Sequence, residues 1–224
     1  MSLINNTHHY PTTSPDPKEV ILMCGFGGAI WQTRRLTNVL TRAGYNVTAL
    51  DFPKSVLSKG DPTLLPKLVD EVVTFVEGKA KQTDQKILLV GISLGSLLSL
   101  NIFRRSQYFD RAVMITGGNI VTVAQKIFGH KVWPQSHDGL SELWQDINIF
   151  TEPDILKNKR ALFVLPTRDK LIDTTEVLQE IDKQNKAGNH ITLVKRGTFS
   201  HIGTILEETV LFPKRVLGYI ERLQ

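Results

Sequence analysis

The chain predicts an α/β fold, a mostly parallel sheet of about six strands with helices on both faces. Three observations carry this. Short apolar runs alternate with longer stretches of helical periodicity from Val20 onward. The apolar runs are nearly unbroken rather than alternating, which suits strands covered on both sides. And 224 residues with 41% apolar content suffice for one substantial core, with little left for a second full domain.

Taken in order, residues 1–18 place Pro11, Pro15 and Pro17 among Thr, Ser, Asn and Asp. Such a composition buries too little apolar surface to offset its ordering entropy, so a flexible N-terminal segment is expected, followed by one domain over 19–224. The strand candidates are Val20–Cys24, Asn46–Leu50, Lys86–Val90, Ala112–Thr116, Ala161–Leu165 and Ile191–Val194. Each is rich in Val, Ile or Leu. Apolar residues three and four apart predict helices over about Trp31–Ala43, Leu64–Lys79, Gly95–Arg105, Thr174–Ala187 and Pro213–Leu223. Gly44 stands where a helix C-terminal stop belongs, and Pro213 suits a first turn whose N–H has no partner anyway. The stretch 117–158 is longer than a crossover helix needs and holds Phe128, Trp133 and Trp144. It reads as a cap-like insertion over one end of the sheet.

The formal charge of +5 comes from basic residues scattered in ones and twos. That pattern reads as a solvated, mildly basic surface, and neither nucleic acid nor an anionic membrane is expected as a partner. Cys24 is the single cysteine, so no disulfide closes within the chain. The N-terminus shows neither a positive leader nor an apolar signal stretch, and no apolar run is long enough for membrane insertion. A cytoplasmic protein is expected. The pairs His8-His9 and His137-Asp138, with His130, match no metal-ligand spacing, and no cofactor is expected.

The chemistry concentrates after the third expected strand. Lys86-Ile87-Leu88-Leu89-Val90 runs into Gly91-Ile92-Ser93-Leu94-Gly95 and then directly into a helical run. A serine on so sharp a strand-to-helix turn is held in a strained backbone conformation, and the neighbouring chain comes too close for side chains at the flanking positions. The turn lifts the hydroxyl above the sheet. The helix that follows aims its N-terminus at negative charge developing there.

On this G-x-S-x-G junction the chain resembles the α/β-hydrolase family, from Val20 to Leu223. The family's order is nucleophile, acid, histidine. Asp169, in Leu165-Pro166-Thr167-Arg168-Asp169 after the fifth strand, is the matching acid, and His201, in Gly197-Thr198-Phe199-Ser200-His201 after the sixth, is the matching base. Asp173 shares the acid's loop, but it precedes Thr174-Thr175-Glu176, where a carboxylate caps a helix. The resemblance places the oxyanion donors on the backbone N–H groups of Phe26 and Leu94. Where the family often carries His before the glycine of that first loop, this chain has Cys24, which reads as a small buried residue.

The implied activity is a serine hydrolase that cleaves carboxylic ester or thioester bonds through an acyl-enzyme on Ser93. The substrate is expected to be a small or medium acyl compound, with Trp133, Trp144 and Phe128 lining its pocket. The alternatives on the same fold are a non-catalytic binding module or an acyltransferase. A nicotinamide-dependent reading of Gly25-Phe26-Gly27-Gly28 fails, because Ile30 stands where the fingerprint's last small residue belongs.

Overall fold

In the computed structural model the described residues are 2–4, 6–25, 30–53, 56, 61, 63–83, 86–119, 122–123, 126, 147, 158–197 and 200–223. Strands β1 (Asn6–Tyr10), β2 (Lys18–Met23), β3 (Tyr45–Asp51), β4 (Leu88–Ile92), β5 (Arg111–Ile115), β6 (Arg160–Pro166) and β7 (His190–Arg196) form one sheet in the order β1-β3-β2-β4-β5-β6-β7. All neighbours run parallel except β1, which lies antiparallel along β3 with Asn6 opposite Asp51 and Tyr10 opposite Val47. The expected strands all appear. Most extend a residue or two beyond their apolar runs, because ladder bonds do not stop where apolar side chains do.

The helices are α1 (Ile30–Arg42), α2 (Leu64–Ala80), α3 (Leu94–Arg105), α4 (Thr174–Lys186), α5 (His201–Leu206), which passes into a π-helical turn (Glu207–Leu211), and α6 (Lys214–Glu221). They cover both faces. Successive residues of a strand point to opposite faces, so β6 sends Ala161, Phe163 and Leu165 into one core with α2, α3 and α4, and Leu162 and Val164 into another with α1 and α6. β5 divides in the same way, Ala112 and Met114 against Val113 and Ile115. Burial on both sides is why these strands read as continuous apolar runs.

Within the N-terminal segment 1–18 lies a strand that the composition did not suggest. β1 is built from Asn6-Thr7-His8-His9-Tyr10, mostly exposed, and it holds to the edge of β3 through backbone pairing. His9 Nδ1 lies 3.1 Å from the Thr48 hydroxyl, and the Thr12 hydroxyl donates to the Thr41 carbonyl at 2.7 Å. Antiparallel edge pairing needs main-chain groups rather than apolar side chains, so hydropathy gave no signal for it. Most of the expected insertion 117–158 lies outside the described residues.

Candidate active site

β4 ends at Ile92, and the chain turns at Ser93 into α3. Ser93 adopts φ 53° and ψ −112°, a conformation side-chain-bearing residues rarely take, and its N–H donates to the Ile115 carbonyl at 2.8 Å, which anchors the turn to β5. The two flanking glycines answer to close approach. A Cβ on Gly91 would stand 2.6 Å from backbone atoms of Gly95 and Ser96, and one on Gly95 would stand 2.1 Å from the Met23 carbonyl oxygen. Ser96, fully buried beneath the turn, donates its hydroxyl to the carbonyls of Gly91 (2.8 Å) and Ile115 (3.0 Å).

The loop after β6 carries Asp169. One of its carboxylate oxygens accepts the N–H groups of Leu171 (2.8 Å) and Ile172 (3.1 Å), and the other lies 2.9 Å from His201 Nδ1. The loop after β7 leads to His201, the first residue of α5, whose N-cap is Ser200 accepting from the Gly203 N–H. Thr167 ties these two loops together. Its N–H donates to the Arg196 carbonyl at 2.9 Å and its hydroxyl to the Gly197 carbonyl at 2.6 Å.

His201 Nε2 lies 2.9 Å from Ser93 Oγ, so serine, imidazole and carboxylate form one continuous hydrogen-bonded line. Burial raises the Asp169 pKa, but the hydrogen bond and charge of His201, with the Ile172 and Leu171 N–H groups, outweigh it and hold the carboxyl below its ordinary value. At neutral pH it is therefore an acceptor only. Nδ1 must carry the proton it donates, which leaves the Nε2 lone pair facing the serine hydroxyl. Asp173, the other carboxylate of the loop, accepts instead from the N–H groups of Thr175 (2.9 Å) and Glu176 (3.2 Å) as the N-cap of α4.

Of the remaining expected site residues, Leu94 opens α3 beside the serine, where a helix's first N–H groups have no intrahelical acceptor. Gly25 reaches the same place from β2: a Cβ there would lie 3.2 Å from Ser93 Cβ and from the Ile92 carbonyl oxygen. Phe26, Phe128, Trp133 and Trp144 lie outside the described residues. Ser96 and Thr167 were not legible as site residues. A buried serine on an apolar helix face and a threonine after a strand carry no spacing signal, and only the fold reveals what they bind. Cys24 is buried, and burial, opposed by the Thr33 hydroxyl and reinforced by Asp51, pushes its thiol up to about 12. Among the described residues, no three His, Cys, Asp or Glu side chains gather as metal ligands and no helix is long and apolar enough to cross a membrane.

The model of the serine aminopeptidase S33 family of hydrolases matches residues 15–195, most of the chain, including the serine turn and Asp169. The chain belongs to that family. Its fold is that of the α/β-hydrolases, and solved structures agree. A protein from Thermus thermophilus, TT1662, superposes with a TM-score of 0.74 at 13% identity, over 97% of this chain and 92% of its own. Esterase 2 of Thermogutta terrifontis, phosphonylated by cyclosarin, gives 0.71 at 13% identity over 97% and 89%. The Pyrococcus furiosus esterase Pf2001 gives 0.66 at 18% identity over 97% and 92%. At such identities the structures speak to fold alone. No curated protein sequence matches the chain.

Proposed function

We propose that the protein is a serine hydrolase acting on carboxylic esters or thioesters of small or medium acyl groups, with Ser93 as nucleophile, His201 as general base and Asp169 as the acid that orients the histidine. The observation that carries this reading is the pair of 2.9 Å contacts linking Ser93 Oγ, His201 and Asp169 on three loops at one sheet edge. His201 Nε2 takes the hydroxyl proton as Oγ attacks the acyl carbonyl. The backbone N–H groups of Phe26 and Leu94 receive the oxyanion, and the imidazolium then protonates the leaving group. Water, deprotonated by the same Nε2, releases the acyl group. Asp169, held ionised, favours the imidazolium that both steps require.

The acyl preference is supported by neighbours on the same fold. The Thermogutta terrifontis esterase 2 has been obtained with propionate and with butyrate bound. Trp133, Trp144 and Phe128 of the insertion are assigned to the acyl pocket, and the protein is assigned to the cytoplasm. The family's name favours a second reading, an aminopeptidase acting on an aminoacyl amide.

A fluorophosphonate probe separates activity from mere fold. The wild type is expected to be labelled at Ser93 and Ser93→Ala to be inert to it, with turnover of p-nitrophenyl butyrate falling to background. Turnover persisting in Ser93→Ala would place the nucleophile elsewhere. In a panel of p-nitrophenyl esters, acyl-CoA thioesters and aminoacyl p-nitroanilides, cleavage confined to the anilides would replace the esterase reading with the peptidase one.

A further inference from the structure

The helical segment that begins at His201 is amphipathic in the inverted sense. Its inward side carries His201, Thr204, Glu207, Glu208 and Thr209, all buried. Its outward side carries Ile202, Leu206 and Leu211, followed by Phe212, at 61%, 41%, 57% and 48% exposure. The π-helical turn keeps Leu211 near the stripe that Ile202 and Leu206 begin, since its wider turn brings every fourth to fifth residue to one side. A surface helix ordinarily buries its apolar stripe. The inward side is explained by what it meets: His201 faces Ser93 and Asp169, Glu208 binds Arg196 at 2.7 Å, and Glu207 binds Arg215. Among the described residues the outward side has no such account.

We infer that this face docks on an anionic lipid surface, a partner that the scattered charges of the sequence did not lead one to expect. Cations scattered in the sequence gather around it. The Arg35 guanidinium donates to the Val210 carbonyl at 3.2 Å, Arg215 lies over the Phe212 ring at 4.2 Å from its centre, and Lys214 is exposed beside them. Of the segment's own carboxylates, Glu208 is turned inward onto Arg196, while Glu207 is buried against Arg215 and offsets its charge, so the exposed positive charge of the rim comes from Arg35 and Lys214. An apolar stripe rimmed by cations is complementary to lipid chains beneath anionic headgroups. A second copy of the chain suits it less well. Four half-exposed side chains fall short of the roughly 800 Å² per partner that a stable dimer buries, and a two-fold contact would bring like charges together. The lipid face begins one residue from His201 in the chain, on the side of the segment opposite the imidazole. The inference goes beyond the hydrolase reading, and its test does not depend on turnover.

The full chain is to be sedimented with vesicles of phosphatidylcholine alone and of phosphatidylcholine with equimolar phosphatidylglycerol, at low and high salt. Binding is expected to the anionic vesicles only and to weaken with salt. Leu206→Gln with Leu211→Gln should keep the circular-dichroism melting curve and weaken binding by at least about tenfold, what losing one buried leucine implies. Arg35→Glu with Lys214→Glu, which reverses two exposed charges and gives up the Arg35 bond to the Val210 carbonyl, should do the same should the first pair fail to fold. No sedimentation with anionic vesicles overturns the inference. So does unchanged binding by either folded variant, or a concentration-dependent dimer that the leucine variant abolishes, which would assign the face to a second copy.

Discussion

Asp169 and Asp173 share one loop, yet the groups around each give its carboxylate different bonds. Asp169 has one oxygen fixed by two backbone N–H groups and the other on His201. Asp173 spends one oxygen, Oδ1, on helix capping, where it accepts the N–H groups of both Thr175 and Glu176. Asp169→Asn preserves the turn, since an amide oxygen still accepts the two N–H bonds, but its NH₂ group meets Nδ1 as a donor and reverses the tautomer. Turnover is then expected to fall by about 10⁴ in kcat with the fold retained. Asp173→Ala removes the cap and should cost about 0.5–2 kcal/mol of stability while most activity remains. Steady-state kinetics and melting curves on the two variants decide the matter, and the reverse pattern would make Asp173 the orienting acid. At this scale the sequence was legible where chemistry requires a residue type at a defined loop. It was not legible where a residue works through the fold: Ser96 beneath the turn and Thr167 between the loops look like any other hydroxyls.

The junction of β4 and α3 depends on β2 as much as on its own residues. Gly95 packs against the Met23 carbonyl so closely that a Cβ would lie 2.1 Å from that oxygen, a backbone atom that cannot rotate away. Gly95→Ala must therefore displace the helix or the end of β2. Overpacking of this kind costs typically about 1–3 kcal/mol. A lowered urea midpoint is expected together with loss of fluorophosphonate labelling, because the displaced strand carries Gly25 up to the serine. A variant that labels and unfolds like the wild type would show that the second glycine is dispensable. Elements were legible in proportion to their hydropathic period. The parallel strands stand out because both faces are buried, and α1 to α4 stand out through their apolar stripes. β1 escaped because its pairing is main-chain and its side chains are polar. The segment 201–211 escaped because its stripe is inverted, so that periodicity alone gave no inward face to find.

For the whole molecule, two cores lie on either side of one sheet, and Cys24 marks where β2, β3 and α1 meet. Its N–H donates to the Leu50 carbonyl at 3.1 Å, its sulfur lies 3.9 Å from the Thr33 hydroxyl, and it is 1% exposed. The α/β class was legible because alternating strand and helix runs admit few other arrangements. The tightness of packing at one residue was not. That packing has a measurable consequence, because the thiol, pushed up to about 12, is almost wholly protonated at pH 8 and cannot reach a reagent unless the contacts that bury it against β3 and α1 open. A disulfide reagent such as dithionitrobenzoate should leave the native protein unmodified over hours, and the labelling rate should rise with urea. If exposure requires global unfolding, the slope of its natural logarithm, multiplied by RT, equals the equilibrium m-value. With one cysteine in the chain, the released thiolate counts unfolding events directly. Rapid labelling in native buffer, or a slope near zero, would mean that Cys24 is reached by local opening at the end of β2. The first loop would then be loosely held against the serine turn.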